Sequence, residues 1–244
     1  MGRPAGETPA MNLLAGTSGY SYKEWTGAFY PEGQPAGEML RFYAGRLNAV
    51  EINNTFYRLP TVGMLEGWAD QAAADFRFVL KASRRITHFK RLRDAADETS
   101  YLLRTASVLG ERLGAILFQL PPDFKKDLDR LEEFLEQLPG ARAAFEFRHP
   151  SWFDDEVEAV LRAGGFALCG ADTLERPLER PFSTADWGYL RLRRPYTDED
   201  LVAWAQKVTA QPWEEAFVFF KHEKEAQSPL WAERFSELTS AGRG

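Results

Sequence analysis

Cysteine is almost missing from this chain of 244 residues: Cys169 stands alone. No disulfide can form within the chain, and a reducing, cytoplasmic setting is expected. Long apolar runs are missing too. No stretch approaches the ~18 consecutive apolar residues of a membrane-spanning helix. The first residues lack the basic-then-apolar pattern of a secretory signal, so no membrane partner is expected. No Gly-rich phosphate fingerprint follows the first strand signal, which removes the main support for a dinucleotide-binding fold. Internal repeats and low-complexity segments are also lacking. With 30 basic against 36 acidic side chains, the net charge of −6 disfavours a surface that grips nucleic acid all over. A nucleic-acid partner is therefore not favoured, although a local basic patch is compatible with the charge.

A chain of this length, 44% hydrophobic and 27% charged, can bury a large core. Residues 1–12, Gly/Pro-rich at first, are expected to be a disordered extension, with Met11 as an alternative start. Residues 13–240 are expected to form one domain. Apolar segments with a period of two begin near residues 13, 48, 76, 114, 143, 166, 188 and 216, and amphipathic segments of helical period separate most of them. These include Gly37 to Leu47, Val62 to Ala74, Ala96 to Leu113, Leu128 to Leu138, Asp154 to Ala163, Asp198 to Thr209 and Pro229 to Leu238. Thr197 with Asp200 makes a near capping box for the helix starting at Asp198. Ser83 to Arg93 reads as a basic loop. Leu174 to Trp187 holds Pro177 and Pro181 and has no amphipathic period, so the sixth helix should be missing or rudimentary. Eight strand–helix units with buried strands predict an α/β fold, a closed (β/α)8 TIM barrel.

The strands share an unusual ending. Ala143-Ala144-Phe145-Glu146-Phe147-Arg148 alternates apolar and charged residues before His149-Pro150. Val50-Glu51-Ile52-Asn53, Val79-Leu80-Lys81, Leu117-Phe118-Gln119 and Phe219-Phe220-Lys221 likewise finish in polar residues. Active sites of such barrels lie at the C-terminal strand ends. Parity places Glu51, Asn53, Lys81, Gln119, Glu146, Arg148, Asp172, Arg191, Arg193 and Lys221 inward there, with His88 and His149 in the adjoining loops and His222 directly after the last strand. Glu51, Glu146 and Lys81 are candidates for acid, base or nucleophile. A salt-bridge layer that only positions loops would use the same residues. Tyr20, Tyr22, Trp25, Tyr57 and Trp152 could stack on a ring of a ligand, or pack a long loop onto the barrel.

The chain resembles the TIM-barrel family called domain of unknown function 72, or YecE-like. Nearly the whole chain carries the resemblance. It rests on Gly16-Thr17-Ser18-Gly19-Tyr20 with Trp25 and Phe29-Tyr30-Pro31. It continues in residues 50–57 and 81–88, in Phe118-Gln119-Leu120-Pro121-Pro122 and in residues 146–152. The resemblance implies the barrel and supplies no reaction. Members often place His-Gly after strand seven and a Gly/Ala-rich loop with Asn after strand eight. This chain has Arg193-Arg194-Pro195 and Lys221-His222-Glu223-Lys224-Glu225 there.

Three chemistries compete. A two-carboxylate glycosidase would use Glu51 and Glu146, yet sugar-cleaving barrels tend to carry that pair on strands four and seven, where Gln119 and arginines stand here. A hydrolase or isomerase dependent on a divalent metal would gather Glu51, Glu146, Asp172 and a histidine. Against that, strands seven and eight supply Arg191, Arg193 and Lys221. An anion site fits best. Lys81, Arg148, Arg191, Arg193 and Lys221 outnumber Glu51, Glu146 and Asp172 while the chain as a whole is acidic. The expected partner is a small anionic ligand, phosphate-bearing, bound mainly by Arg148 and Lys81; no cofactor is expected, and a divalent metal is the alternative. A Schiff-base lysine, Lys81 or Lys221, is a minor variant.

Overall fold

A computed structural model describes residues 11–221 and 226–241. Nine strands are present: β1 (Asn12–Ser18), β2 (Ala49–Ile52), β3 (Arg77–Lys81), β4 (Leu113–Gln119), β5 (Ala143–Glu146), β6 (Ala167–Leu168), β7 (Gly170–Asp172), β8 (Trp187–Leu192) and β9 (Glu215–Phe220). All pairings are parallel, in the order β6-β5-β4-β3-β2-β1-β9-β8-β7. The sheet is a nearly closed barrel with helices between the strands. These helices are α1 (Met39–Ala44), α2 (Asn54–Tyr57), α3 (Val62–Ala69), α4 (Ala96–Ala106), α5 (Leu128–Leu135), α6 (Asp155–Ala163), α7 (Asp198–Thr209) and α8 (Gln227–Ala241). None of the described helices is long and apolar enough to cross a membrane.

Strand parity divides the core in two. Outward residues such as Val50, Leu80, Phe118, Phe145 and Val218 pack against the helices. Inward residues, among them Leu14, Val79, Leu117, Cys169, Tyr189, Phe217 and Phe219, fill the barrel. The interior is therefore solid beneath its charged upper layer, as alternation in a small barrel requires. Gly16 is needed where β1 meets β2, since a Cβ there would lie 1.9 Å from the Ala49 carbonyl oxygen. At this point the Tyr43 hydroxyl accepts from the Thr17 N–H at 2.8 Å and donates to the Ala49 carbonyl at 2.9 Å.

The sixth strand position is split. β6 pairs with β5, and β7 pairs with β8. Between them Cys169 still gives its N–H to the Phe145 carbonyl at 2.8 Å. Thr184 braces the seam, its hydroxyl accepting from the Leu168 N–H and donating to the Phe166 carbonyl, each at 2.8 Å. Residues 173–186 contain no helix, as the proline-broken sequence predicts. The capping box at Thr197 and Asp200 is present.

Three expectations are corrected. The segment Ala96 to Leu113 does not stay helical: α4 stops at Ala106, and a tight turn (Ser107–Arg112) carries Gly110 at φ 54°. The basic stretch from Ser83 is no plain loop, but a π-helical turn (Arg85–Phe89) followed by left-handed Arg91, Leu92 and Asp94. Burial of Leu92 and the Lys90–Glu98 ion pair at 2.7 Å hold that strained segment in place. The second strand, expected to finish at Asn53, ends at Ile52, and α2 follows at once. The expected extension over residues 1–12 lies outside the described residues up to Ala10, whereas Asn12 already begins β1; the His222 position also lies outside the described residues.

Candidate active site

The inward ends of β2, β4, β5 and β8 meet in one buried ion-pair network. Arg191 gives Nη2 to Glu51 Oε1 at 2.8 Å and Nη1 to Glu146 Oε2 at 2.5 Å. Tyr189, two residues earlier on β8, donates its hydroxyl to Glu51 Oε2 at 2.7 Å. Gln119 donates to Glu146 Oε1 at 2.8 Å, and Arg148 Nε reaches the same oxygen at 3.2 Å. Burial alone would push both carboxyl pKa values up. Burial is the largest single influence, but the Arg191 charge together with the Tyr189 hydroxyl and Lys81 at Glu51, and with Arg148 and Gln119 at Glu146, more than offsets it, so both lie below the usual carboxylate range. Glu51 and Glu146 are thus ionised at neutral pH in a mouth shared with Arg148 and Lys81.

Lys81 ends β3 at 8% exposure. Its Nζ lies 4.3 Å above the Phe56 ring. Burial first, then repulsion from Arg191, lowers its pKa to about 8, with Glu51 and Glu146 partly offsetting the effect. His88 packs edge-on against the same Phe56 ring, with centroids 4.9 Å apart. Burial, then Lys81 and Arg148, lowers the imidazole pKa, so His88 is neutral at pH 7.

Above Glu146 a cavity of about 440 Å³ opens between the ends of β5, β7 and β8, lined by Arg148, Arg176, Arg193 and Thr173. Arg193 makes no ion pair among the described residues. Arg176 makes none either, and its guanidinium stacks 3.7 Å from the Phe153 ring centroid. Both have pKa values lowered chiefly by burial, with the Arg191 charge adding to the effect at Arg193.

The structure brings together Glu51, Lys81, Gln119, Glu146, Arg148, Arg191 and Arg193, as parity predicts. Asp172 is a correction. It faces the helix layer, where its carboxylate accepts from Arg194 Nε at 2.8 Å, the Tyr196 hydroxyl at 2.7 Å and the Leu178 N–H at 2.8 Å. Cys169 packs with the inner cluster and Leu168 with the outer one, so alternation puts Asp172 outside. Arg191 is buried at 2% exposure beneath the mouth, each Nη bonded to one carboxylate, so it underlies the cavity and does not line it. Asn53 is half-buried just past β2. Lys221 lies on the opposite side, in a crevice with Ser18 and Tyr22.

The aromatic candidates divide. Trp25 is buried and stacked on Tyr30, and Tyr20 packs beside Tyr43; these rings hold the first loop to the barrel. Trp152 is fully buried against Phe147, with centroids 4.4 Å apart. Tyr57 is 67% exposed on the rim, 5.7 Å from the Arg84 guanidinium carbon. His149 caps the turn Pro150–Trp152, its Nδ1 accepting from the Ser151 N–H. Sequence reasoning missed Tyr189 and Arg176. Tyr189 was available from the parity of β8. Arg176 gave no periodic signal, because it sits in the irregular segment replacing a helix.

A family model described as "Protein of unknown function DUF72" matches residues 14–243. The chain belongs to this family. A 128-residue segment is 38% identical to the UPF0759 protein YecE of Escherichia coli K12, covering 51% of this chain and 47% of that relative. The match thus spans about half the length of the curated relative. A DUF72 protein of Thermotoga maritima superposes with TM-score 0.81 at 27% identity, over 94% of this chain and 99% of that one. Another, from Enterococcus faecalis, gives 0.80 at 17% identity over 93% and 95%. A xylose isomerase domain protein of Alicyclobacillus acidocaldarius reaches 0.55 at 14% identity over 95% and 100%, a likeness of fold alone.

Proposed function

We propose that this DUF72 barrel binds a small anionic, phosphate-bearing ligand in the cavity above Glu146, and that Arg148, Arg193 and Arg176 are its contacts. One observation carries the reading: three guanidinium groups face one cavity, and two of them have no ion-pair partner among the described residues. Cations in a partly desolvated cleft repel one another until an anion neutralises them. Guanidinium forks match phosphate oxygens in pairs, so the ligand gains orientation as well as charge compensation. Arg191 acts beneath as a fixed support that holds Glu146 for Arg148. Asp172 leaves the mouth together with Lys221, and Arg176 joins it together with Glu175, so cations still outnumber acids there by two.

A divalent-metal hydrolase or isomerase has less support. No three His, Cys, Asp or Glu side chains cluster as metal ligands among the described residues. The two carboxylates such a site would use already share a guanidinium. Calorimetric titration of phosphate and glycolaldehyde phosphate into wild type and Arg148→Met tests the proposal. Loss of a charge-assisted hydrogen bond, about 1.5–3 kcal/mol, should weaken binding by one to two orders of magnitude. Equal affinity in both proteins, or tight binding of Mn²⁺ with no anion binding, would overturn it.

A further inference from the structure

We propose that Lys81 is a Schiff-base-forming amine, and that the anion received by the mouth carries an aldehyde or ketone: a small phosphorylated carbonyl compound. This rests on the anion reading above and adds a covalent step to it. Lys81 lacks a counter-charge among the described residues. Elsewhere in the chain Lys126 is paired with Asp154 and Glu156, and Lys90 with Glu98 at 2.7 Å. Lys81 is more deeply buried than either, at 8% exposure, and its Nζ has no ion pair or hydrogen bond among the described residues. Its contact is the Phe56 ring, which stabilises an ammonium without giving it a counter-charge.

Neither carboxylate on the same inner face comes within ion-pair distance of Lys81 Nζ; both are drawn to Arg191. The groups facing Lys81 are Arg191 on β8, Glu51 on β2, Glu146 and Arg148 at the end of β5, and His88 and Phe56 on the neighbouring loops. Desolvation with cations nearby is the arrangement that makes a lysine nucleophilic near neutral pH. With its pKa at about 8, a useful fraction of the amine is neutral under ordinary conditions.

The step balances without any oxidant or reductant. The neutral Nζ lone pair attacks the carbonyl carbon, a C–N bond forms, and the carbonyl π pair moves to oxygen. The two protons on Nζ pass to that oxygen by way of solvent, and it departs as water. The resulting imine takes one proton from solvent to become an iminium, an electron sink for cleavage or proton loss at the adjacent carbon. Lys81 does not line the cavity itself; it shares the charged layer with Glu146 and Arg148 at the cavity floor, so the arginines would hold the phosphate while the carbonyl end reaches past Arg148 to Lys81.

Reductive trapping tests this directly. The full chain is incubated with glycolaldehyde phosphate and sodium cyanoborohydride, and modified lysines are mapped by peptide mass spectrometry, with Lys81→Arg as the background. Lys81 should be trapped at least about tenfold faster than any other lysine, since an ordinary lysine is roughly a hundredfold less neutral at this pH. The rate should reach half its maximum near the Lys81 pKa of about 8, and Arg148→Met should slow it. Modification spread over surface lysines, with Lys81 untouched at saturating probe, overturns the Schiff base while the calorimetric anion reading stands. Equal trapping by glycolaldehyde and its phosphate overturns the phosphorylated class and the anion reading together, leaving only a reactive amine.

Discussion

Glu51 and Glu146, on strands separated by β3 and β4, are joined through one guanidinium, each holding a different Nη of Arg191. All three side chains are almost wholly buried. Removing one member would therefore cost more than the net worth of the pair, because it leaves desolvated charge behind.

Arg191→Met should accordingly destabilise the fold by about 3–5 kcal/mol in urea unfolding. Adding Glu51→Gln and Glu146→Gln to that variant should recover at least half of the loss. A single-variant cost below ~1 kcal/mol would mean the network contributes little to stability.

Acid sensitivity follows from the same network. Folded pKa values of Glu51 and Glu146 lie below their unfolded values. Their contribution is present above the unfolded carboxylate pKa and is lost as pH falls through it toward the folded values. Unfolding free energy should drop steeply below about pH 4.5. In Glu146→Gln, measured from pH 7 to pH 3, the slope should be shallower.

Lys81 gives a slope of the same sign in the alkaline range, as the relief of a penalty. Its folded pKa of about 8 is below the unfolded value of 10.5, so the unfolded chain binds more protons between them. Stability from this group rises with pH across that window and is lowest below pH 8. Lys81→Met should stabilise the fold at pH 7 by about 1–3 kcal/mol, and the gain should fade as pH approaches 10. A gain independent of pH would indicate better packing instead of a removed charge.

Asp172 and Arg193 should separate cleanly. Asp172→Ala breaks contacts to Arg194, Tyr196 and the Leu178 N–H, at a cost of about 1–3 kcal/mol in stability. Phosphate affinity should stay within about threefold, because the Asp172 carboxylate faces away from the cavity and the Asp172 carbonyl that holds the Arg193 N–H is kept. Arg193→Met should leave stability nearly unchanged and reduce phosphate affinity about tenfold or more, a loss that shrinks at high salt.

Much of this architecture was legible because strands and helices differ in period. Alternation along residues 49–52, 113–119 and 143–146 identified both the strands and the inward Glu51, Gln119 and Glu146. Parity failed at Asp172 because the sixth strand is short and split, leaving too few residues to show which face continues. Pairing was not legible at all. Five cations and three acids at strand ends predict an anion site, but the sequence cannot say that Arg191 is consumed by Glu51 and Glu146. Tertiary distance decides that. Arg176 was invisible for a related reason: irregular backbone gives no period from which direction can be read.

The split at Cys169 makes the barrel a hoop with one short joint. Elsewhere neighbouring strands share three to six paired positions, but β6 shares only two with β5 and none with β7. A ring under thermal stress opens where its ladder is shortest, so amide exchange should begin at residues 167–172 before reaching β1 or β9. The segment that replaces a helix after this joint carries Thr173 and Arg176, while Arg193 leaves the facing strand with its N–H on the Asp172 carbonyl at 2.9 Å. An anion held by Arg148, just past β5, and by Arg176 and Arg193, beyond β7 and β8, would tie the two sides of that joint together, making the occupied mouth also the clasp of the hoop.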